Sequence, residues 1–165
     1  MHISIVLGTA REGRQSEKVA RALFREFEKS TGATFEYVDI RDCLTTFHTK
    51  RHNEENGQDY AWYQTAMKSD GFIFVIPEYN RSYPGEWKIL LDSLYNKAYA
   101  GKVAGLVGVS DGRFGGVRAI EQAILTLSNC GMYVMKGALH FPFVMTQFDA
   151  EGNVVEEDQR TRVAR

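Results

Sequence analysis

The chain has 165 residues, of which 44% are hydrophobic and 25% are charged, and its formal net charge is −1. These values are ordinary for a soluble globular protein, and we expect a single domain spanning residues 1–165. A net charge so close to zero gives no reason to expect nucleic acid, a membrane surface or a strongly charged protein as a partner.

Short apolar runs alternate with amphipathic segments in the first half of the chain. "HISIVLG" predicts a buried first strand, and "SEKVARALFREFEKSTG" predicts a helix that stops at Gly32. "TFEYVDI" alternates in polarity as a second strand would. The segment 43–60 that follows is polar, long and weakly patterned, and it leads into a predicted helix around Tyr60 to Met67.

The second half repeats the alternation. "GFIFVI" and "KVAGLVGVS" predict buried strands, "EWKILLDSLYNK" and "GGVRAIEQAILTLSNCG" predict helices, and "YVMKGAL" is a last strand candidate. Strands that are apolar on both faces need helices on both sides of a parallel sheet, so we predict a doubly wound α/β fold. The final residues, "RTRVAR", look like an unfinished last helix.

Three loops of the predicted fold follow buried strands, and ligands bind such sheets outside the carboxyl ends of the strands. The first, "GTAREGRQS", opens a helix and offers an anion site, to which Arg11 and Arg14 add donors. It lacks the G-K-[ST] of a P-loop and the G-x-G-x-x-G of dinucleotide sites. The alternative interpretation is that Ser16 only caps the helix.

The second loop, "PEYNRSYPG", places two tyrosines, an acid and a base between two prolines. A rigid loop with aromatic rings and exposed amides suits a flat heterocycle, although it can also be a turn whose tyrosines pack on the next helix. The third loop, "SDGRFGG", permits close backbone approach, or is simply a flexible glycine turn. Together the loops indicate a composite site for a mononucleotide with a large flat base.

These same segments carry a resemblance to a known family. "GTAREGRQSEKVA", "PEYNRSYPGEWKILLD" and "SDGRFGGVRA" resemble the NADPH-dependent FMN reductases, a flavodoxin-like group of quinone, flavin and azo-dye reductases. The likeness runs from Ile3 to about Met145, and its specific part is the P-E-Y-N-x-S-x-P-G segment. It implies a flavodoxin-like, doubly wound parallel sheet of five strands with helices on both faces.

The resemblance also implies which residues bind FMN. The first loop would hold the phosphate through Thr9, Arg11, Gln15 and Ser16. The second would line the isoalloxazine through Pro77, Glu78, Tyr79, Asn80 and Arg81, and the third would close the other side through Ser110 and Gly112. The chain departs from the family at Lys18, where many relatives have asparagine, and at Trp87, which either shapes the substrate pocket or belongs to the core.

The implied activity is that of an FMN-dependent NAD(P)H oxidoreductase. Electrons would pass from NADPH or NADH through bound FMN to quinones, free flavin, azo compounds or similar small acceptors. No catalytic acid–base side chain is needed, and we expect Glu78 to order its loop rather than act as a general base. The four histidines have no metal-binding spacing, and His48 and His52 of the polar segment could at most contact an acceptor.

Two other classes remain open at this point: a flavodoxin-type electron carrier, usually much more acidic than this chain, and a non-catalytic nucleotide-binding module. Relatives use the helix after the second loop in a homodimer interface, so we expect a homodimer or homotetramer involving Tyr83, Trp87 and Tyr95. The alternative is that all three pack within their own subunit. Two distant cysteines, Cys43 and Cys130, and an N-terminal apolar run too short for a signal peptide predict a cytoplasmic protein.

Overall fold

The computed structural model describes residues 1–44, 51–57, 60–149, 152–155 and 159. The strands are β1 His2–Leu7, β2 Thr34–Asp39, β3 Gly71–Pro77, β4 Val103–Val109, β5 Tyr133–Val134 and β6 Leu139–Phe141. The α-helices are α1 Ser16–Phe27, α2 Ile40–Cys43, α3 Ala61–Lys68, α4 Gly85–Asp92 and α5 Val117–Asn129. Strands and helices therefore alternate along the chain as their apolar periods predict.

The strands form one parallel sheet in the order β2-β1-β3-β4-β5. The sixth strand, β6, also pairs in parallel with β4, at Val107 to Val109, whereas β5 pairs with Val103 and Ala104. The predicted fifth strand is thus divided into two short pieces, with Gly137 at a φ of 88° between them. The doubly wound order is confirmed, and the difference lies only in this broken edge position.

Helices cover both faces of the sheet, because the side chains of its strands alternate between two apolar clusters. Ile5 and Leu7 pack with the buried residues of α1, whereas Val6 packs with those of α3, α4 and α5. Trp87 is fully buried in the second cluster, where its ring meets Phe74 edge-on. Of the two interpretations of Trp87, the structure therefore supports the core residue.

The end of α4 and the start of α2 are each set by a hydrogen bond between a side chain and the backbone. Neither position can be predicted from the spacing of apolar residues. The predicted helix 86–97 stops at Asp92, because Ser93 Oγ donates to the carbonyl of Leu90 at 2.7 Å and a separate 3-10 turn, Asn96–Ala98, follows. The predicted strand 34–40 ends at Asp39, whose carboxylate accepts from the Arg41 amide at 3.0 Å and caps α2.

The fold brings the three loops to one edge of the sheet. The neighbouring strands β1, β3 and β4 run in the same direction, so the loops that follow them meet outside their carboxyl ends. In the described part of the chain, no helix has the length and apolar character that a membrane span requires.

Candidate active site

A buried arginine, Arg14, stabilises the first loop, residues 8–15. The side chain of Arg14 is 1% exposed, and its guanidinium donates to both carboxylate oxygens of Asp39 at the end of β2. It also donates to the Thr9 carbonyl at 2.5 Å and to Glu17 Oε2 at 3.3 Å. Arg14 was expected to offer donors to a ligand, but the structure assigns them to the loop itself.

A second arginine fixes the same loop from the side of α2. Arg41 Nε donates to the carbonyl of Ala10 at 3.1 Å, and its terminal nitrogen donates to that of Arg11 at 2.7 Å. Asp39, between the two arginines, is partly buried, which would raise its pKa, but hydrogen bonds from Arg14 and the Arg41 amide outweigh burial and lower it. The loop is therefore held in a fixed shape before any ligand arrives.

Two buried polar atoms at the start of α1 lack partners among the described residues. They are Ser16 Oγ, on a side chain of a residue only 2% exposed, and Gln15 Oε1. Ser16 is the first residue of α1 rather than its N-cap, and the N-cap position, Gln15, makes no side-chain capping bond. The interpretation of Ser16 as a simple helix cap is therefore wrong, and its hydroxyl is available to a ligand at the positive end of the helix.

Thr9 and Arg11 connect the first loop to the second. Thr9 is fully buried, and its hydroxyl lies 3.4 Å from the hydroxyl of Tyr79. The Arg11 guanidinium lies over the Tyr79 ring at 4.9 Å, and the Arg11 amide donates to Thr9 Oγ1 at 3.2 Å. The part of the predicted site that would bind an anion therefore lies directly beside the part that would bind a ring.

The second loop is a tight turn with an unusual backbone. Tyr79 and Ser82 exchange two backbone hydrogen bonds, of 2.9 and 3.1 Å. Between them Asn80 and Arg81 have φ values of 50° and 66°, the left-handed region in which a side chain is strained. Two successive left-handed residues define a type I′ turn. This turn, which follows Pro77, fixes the orientation of Asn80, Arg81 and their amides.

Glu78 ties this turn to α5. Its carboxylate accepts from the backbone amide of Arg118 at 3.2 Å and lies 3.5 Å from the Arg118 guanidinium. Its side chain is only 13% exposed. Gln122 lies one turn further along α5. Its side-chain amide donates to the Arg81 carbonyl at 2.8 Å and accepts from the Ser82 hydroxyl at 2.6 Å. These contacts support the expectation that Glu78 orders the loop.

The glycines of the third loop divide into two kinds. Gly115 and Gly116 have φ values of 59° and 82°, and a Cβ on Gly116 would lie 2.6 Å from the Val109 amide nitrogen, so the fold itself requires them. Gly112 has no left-handed φ, and the only atom near its Cβ position is the Ser110 hydroxyl at 3.9 Å. The fold gives no reason for glycine there, which leaves open space beside Ser110.

The described part of the polar segment after α2, residues 51–57 and Tyr60, lies apart from the three loops. His52 stacks on Tyr60 at 4.2 Å and pairs with Leu94, beyond the far end of α4. It borders a cavity of about 370 Å³ with Tyr63, Tyr95 and others. His52 therefore does not meet the predicted site, and His48 lies outside the described residues. Among the described residues no group of three His, Cys, Asp or Glu is arranged to hold a metal ion.

Five residues that contact the loops were not identified from the sequence. Glu86, in the first turn of α4, accepts from Thr9 and Ala10, and the other four anchor the loops: Asp39, Arg41, Arg118 and Gln122. A carboxylate directly after Pro84 and Gly85 was the one signal that could have drawn attention to Glu86. The others act across the fold and leave no local pattern.

The residues present fit FMN at both ends. Ser16 Oγ, Arg11 and the amino end of α1 supply donors and positive charge for a phosphate. The Tyr79 turn and the open space at Gly112 provide a flat wall and a gap for a ring system. The site lacks the glycine pattern that a pyrophosphate would need in a dinucleotide fold.

The sequence of the chain is similar to those of known reductases. A family model described as NADPH-dependent FMN reductase matches residues 1–146. A 2-hydroxy-1,4-benzoquinone reductase from Burkholderia sp is 28% identical over 97% of this chain and 88% of its own length. A quinone reductase from Pseudomonas putida is 32% identical over 76% of this chain and 70% of its own.

Solved structures show the same fold. The chain is similar to the flavoenzyme NAD(P)H:(acceptor) oxidoreductase FerB from Paracoccus denitrificans, with a TM-score of 0.78 and 22% identity over 99% of this chain and 91% of that one. It is also similar to oxidised flavodoxin 1 from Bacillus cereus, with a TM-score of 0.60 and 16% identity over 99% and 92%. With the family model covering most of its length, the chain belongs to the NADPH-dependent FMN reductase family.

Proposed function

We propose that this protein is an FMN-dependent NAD(P)H oxidoreductase whose acceptors are quinones or similar planar molecules. Family membership supports the general activity, with FMN as cofactor and NAD(P)H as electron donor. The names of two relatives, a hydroxybenzoquinone reductase and a quinone reductase, support quinones as the acceptor class. Free flavin and azo compounds remain further candidates of the same kind.

The observation that carries the proposal is the unpartnered Ser16 hydroxyl at the amino end of α1. Buried polar atoms are nearly always hydrogen-bonded, so a buried hydroxyl without a partner indicates a missing ligand. Its position, at the positive end of a twelve-residue helix and on the same loop as Arg11, favours an anion. A terminal phosphate suits this position, because it would accept from the Ser16 hydroxyl and carries the negative charge that the helix end favours.

The residues of the chain bind and orient the cofactor. Thr9, Arg11 and Ser16 would donate to the phosphate, and Gln15 completes the first loop. The Tyr79–Ser82 turn would contact the ring edge through its fixed amides, and Ser110 and Gly112 would leave room on the other side. The redox chemistry, which is hydride uptake from reduced nicotinamide and electron transfer to the acceptor, would be supplied by FMN when it is bound.

Reductase activity is favoured over the role of an electron carrier. The net charge of −1 lacks the strong acidity that is usual for flavodoxin-type carriers. The relatives named above are reductases, although the fold alone is shared with a flavodoxin. Steady-state turnover of NADPH with a soluble benzoquinone tests this choice. A protein that binds FMN but shows no such turnover would be a carrier or a binding module.

The carrying observation has a direct test. Apoprotein is titrated with FMN, and the affinity of Ser16→Ala is compared with that of the parent and of Ser30→Ala, an exposed serine beyond the end of α1. Loss of one hydrogen bond to a charged group is worth about 1.5–3 kcal/mol, so Ser16→Ala should bind FMN at least about tenfold more weakly. An unchanged affinity would mean that Ser16 does not contact the phosphate.

We further propose a cytoplasmic homodimer, or a tetramer built from it, with the site near the subunit boundary. Tyr95 supports an interface because the residue remains 45% exposed, three positions beyond the end of α4. Trp87 is excluded from it by complete burial, and Tyr83 packs on Trp87 at 4.8 Å. Both cysteines are free and buried, as expected in a reducing compartment. Light scattering at micromolar concentration, with Tyr95→Lys as the variant, tests the assembly; a monomeric parent would contradict it.

A further inference from the structure

Glu86 accepts hydrogen bonds from two donors of the first loop. Its Oε1 accepts from the Thr9 hydroxyl at 2.9 Å and from the backbone amide of Ala10 at 3.0 Å. The Thr9 hydroxyl has a single proton and already accepts from the Arg11 amide. Because a carboxylate at 2.9 Å is its best acceptor, that proton is directed at Glu86.

No side-chain cation of the described residues forms a salt bridge with the Glu86 carboxylate. The nearest arginine along the loop, Arg11, has its guanidinium over the Tyr79 ring. The amino end of α4 supplies partial positive charge, which favours an acid in its first turn without cancelling a full negative charge.

We propose that Glu86 acts as an internal anion that competes with the flavin phosphate for the first loop, and so sets how strongly the protein prefers FMN over a flavin without phosphate. The inference rests on the proposed function, in which Thr9 and its loop hold the phosphate. A phosphate there would need the donors that Glu86 holds and would lie close to a second negative charge. Binding of FMN therefore requires Glu86 to release Thr9 and Ala10.

The competition has a structural benefit for the protein without flavin. Loss of the acceptor at Thr9 would be costly, because a buried donor without an acceptor loses its hydration, whereas the exposed Ala10 amide can turn to water. Thr9 is fully buried, so water cannot replace a lost partner there. In the absence of flavin, Glu86 therefore provides the acceptor that the Thr9 hydroxyl needs.

Glu86→Gln tests the proposal because it keeps the shape of the side chain and an oxygen that accepts from Ala10, but removes the charge. Apoprotein is titrated with FMN and, separately, with riboflavin, which has no phosphate. We expect Glu86→Gln to bind FMN about tenfold more tightly than the parent, since removal of a nearby like charge is worth at least this much in a partly buried site. Riboflavin affinity should stay within about twofold, because the ring contacts are unchanged.

Glu28→Gln is the control, because Glu28 is an exposed acid just beyond the far end of α1 and outside the three loops. It should change FMN affinity by no more than about twofold, as expected for a screened surface charge. Inorganic phosphate gives a readout without flavin: it should raise the melting temperature of Glu86→Gln more than that of the parent, and the same melts report whether the variant is folded.

The outcomes separate this proposal from the proposed function. If the parent binds FMN but Glu86→Gln binds it equally or more weakly, Glu86 positions Thr9 without competing, and the proposal is overturned. An equal gain for FMN and riboflavin would also overturn it, because the phosphate would not be the group that senses the charge. If the parent binds neither flavin while phosphate still stabilises Glu86→Gln preferentially, the flavin assignment fails but the competition at the anion site stands.

Discussion

Replacement of Arg14 by methionine should destabilise the protein far more than its position in a loop suggests. Arg14 is 1% exposed and its main partner, Asp39, is 17% exposed at the side chain. Removal of one partner from a buried ion pair costs about 3–5 kcal/mol, because it leaves the other charge unpaired. Water reaches Asp39, so we expect the lower value, about 3 kcal/mol.

That loss corresponds to a fall in melting temperature of about 6–12 °C for a domain of this size, at about 2–4 °C per kcal/mol. The assay is thermal and urea denaturation of Arg14→Met beside Arg21→Met. Arg21 pairs with Glu17 across one turn of α1 at 57% exposure, and such pairs contribute only about 0.3–0.5 kcal/mol. Equal melting temperatures for the two variants would refute the idea that Arg14 supports the loop.

The stability that the Arg14–Asp39 ion pair contributes should depend on pH. Burial alone would raise the pKa of Asp39, but Arg14 and the Arg41 amide lower it below its ordinary value. The stability that this lowering contributes is present at pH values above the ordinary pKa and is lost as the pH falls through the lower pKa of the folded state. The difference between the parent and Arg14→Met should therefore be full at neutral pH and shrink in acid. A difference that grows on acidification would contradict this assignment.

Three further predictions concern the ligand and the loops. Arg11→Ala should weaken FMN binding about tenfold or more, through loss of a charge-assisted bond worth about 1.5–3 kcal/mol, and an unchanged titration would make Arg11 a surface residue only. FMN should bind much more tightly than FAD, because the first loop encloses a terminal phosphate; equal affinities in apoprotein titrations would exclude this geometry. Glu78→Gln should keep NADPH turnover within about threefold, whereas loss of a general base would reduce it by about 10²–10⁴.

The fold could be predicted from the sequence because its signals are local. Apolar strands such as "GFIFVI" alternate with amphipathic helices, and this period alone indicates a parallel sheet covered on both faces. Two boundaries depend on one residue each. The fifth strand breaks where Gly137 has a left-handed backbone, and α4 ends just before Ser93, whose hydroxyl donates to a backbone carbonyl. Such local features end a helix or strand even where the spacing of apolar residues in the sequence continues unchanged.

The site was predicted in part, for a similar reason. The residues of its three loops stand directly after strands, so their place at the sheet edge follows from topology. The partners of these loops do not, since Glu86 meets Thr9 across 77 positions and Arg118 meets Glu78 across 40. The role of Arg14 was misassigned because an arginine in a glycine-containing loop looks the same in sequence whether it faces a ligand or Asp39.

The most direct test of the account is the visible absorption spectrum of the purified, FMN-reconstituted protein during anaerobic addition of NADPH and then of a benzoquinone. The account predicts the spectrum of bound oxidised flavin, its bleaching by a stoichiometric amount of NADPH, and its return when the quinone is added. A protein that retains no flavin after desalting, or whose bound flavin keeps its colour in the presence of NADPH, would contradict the central claim.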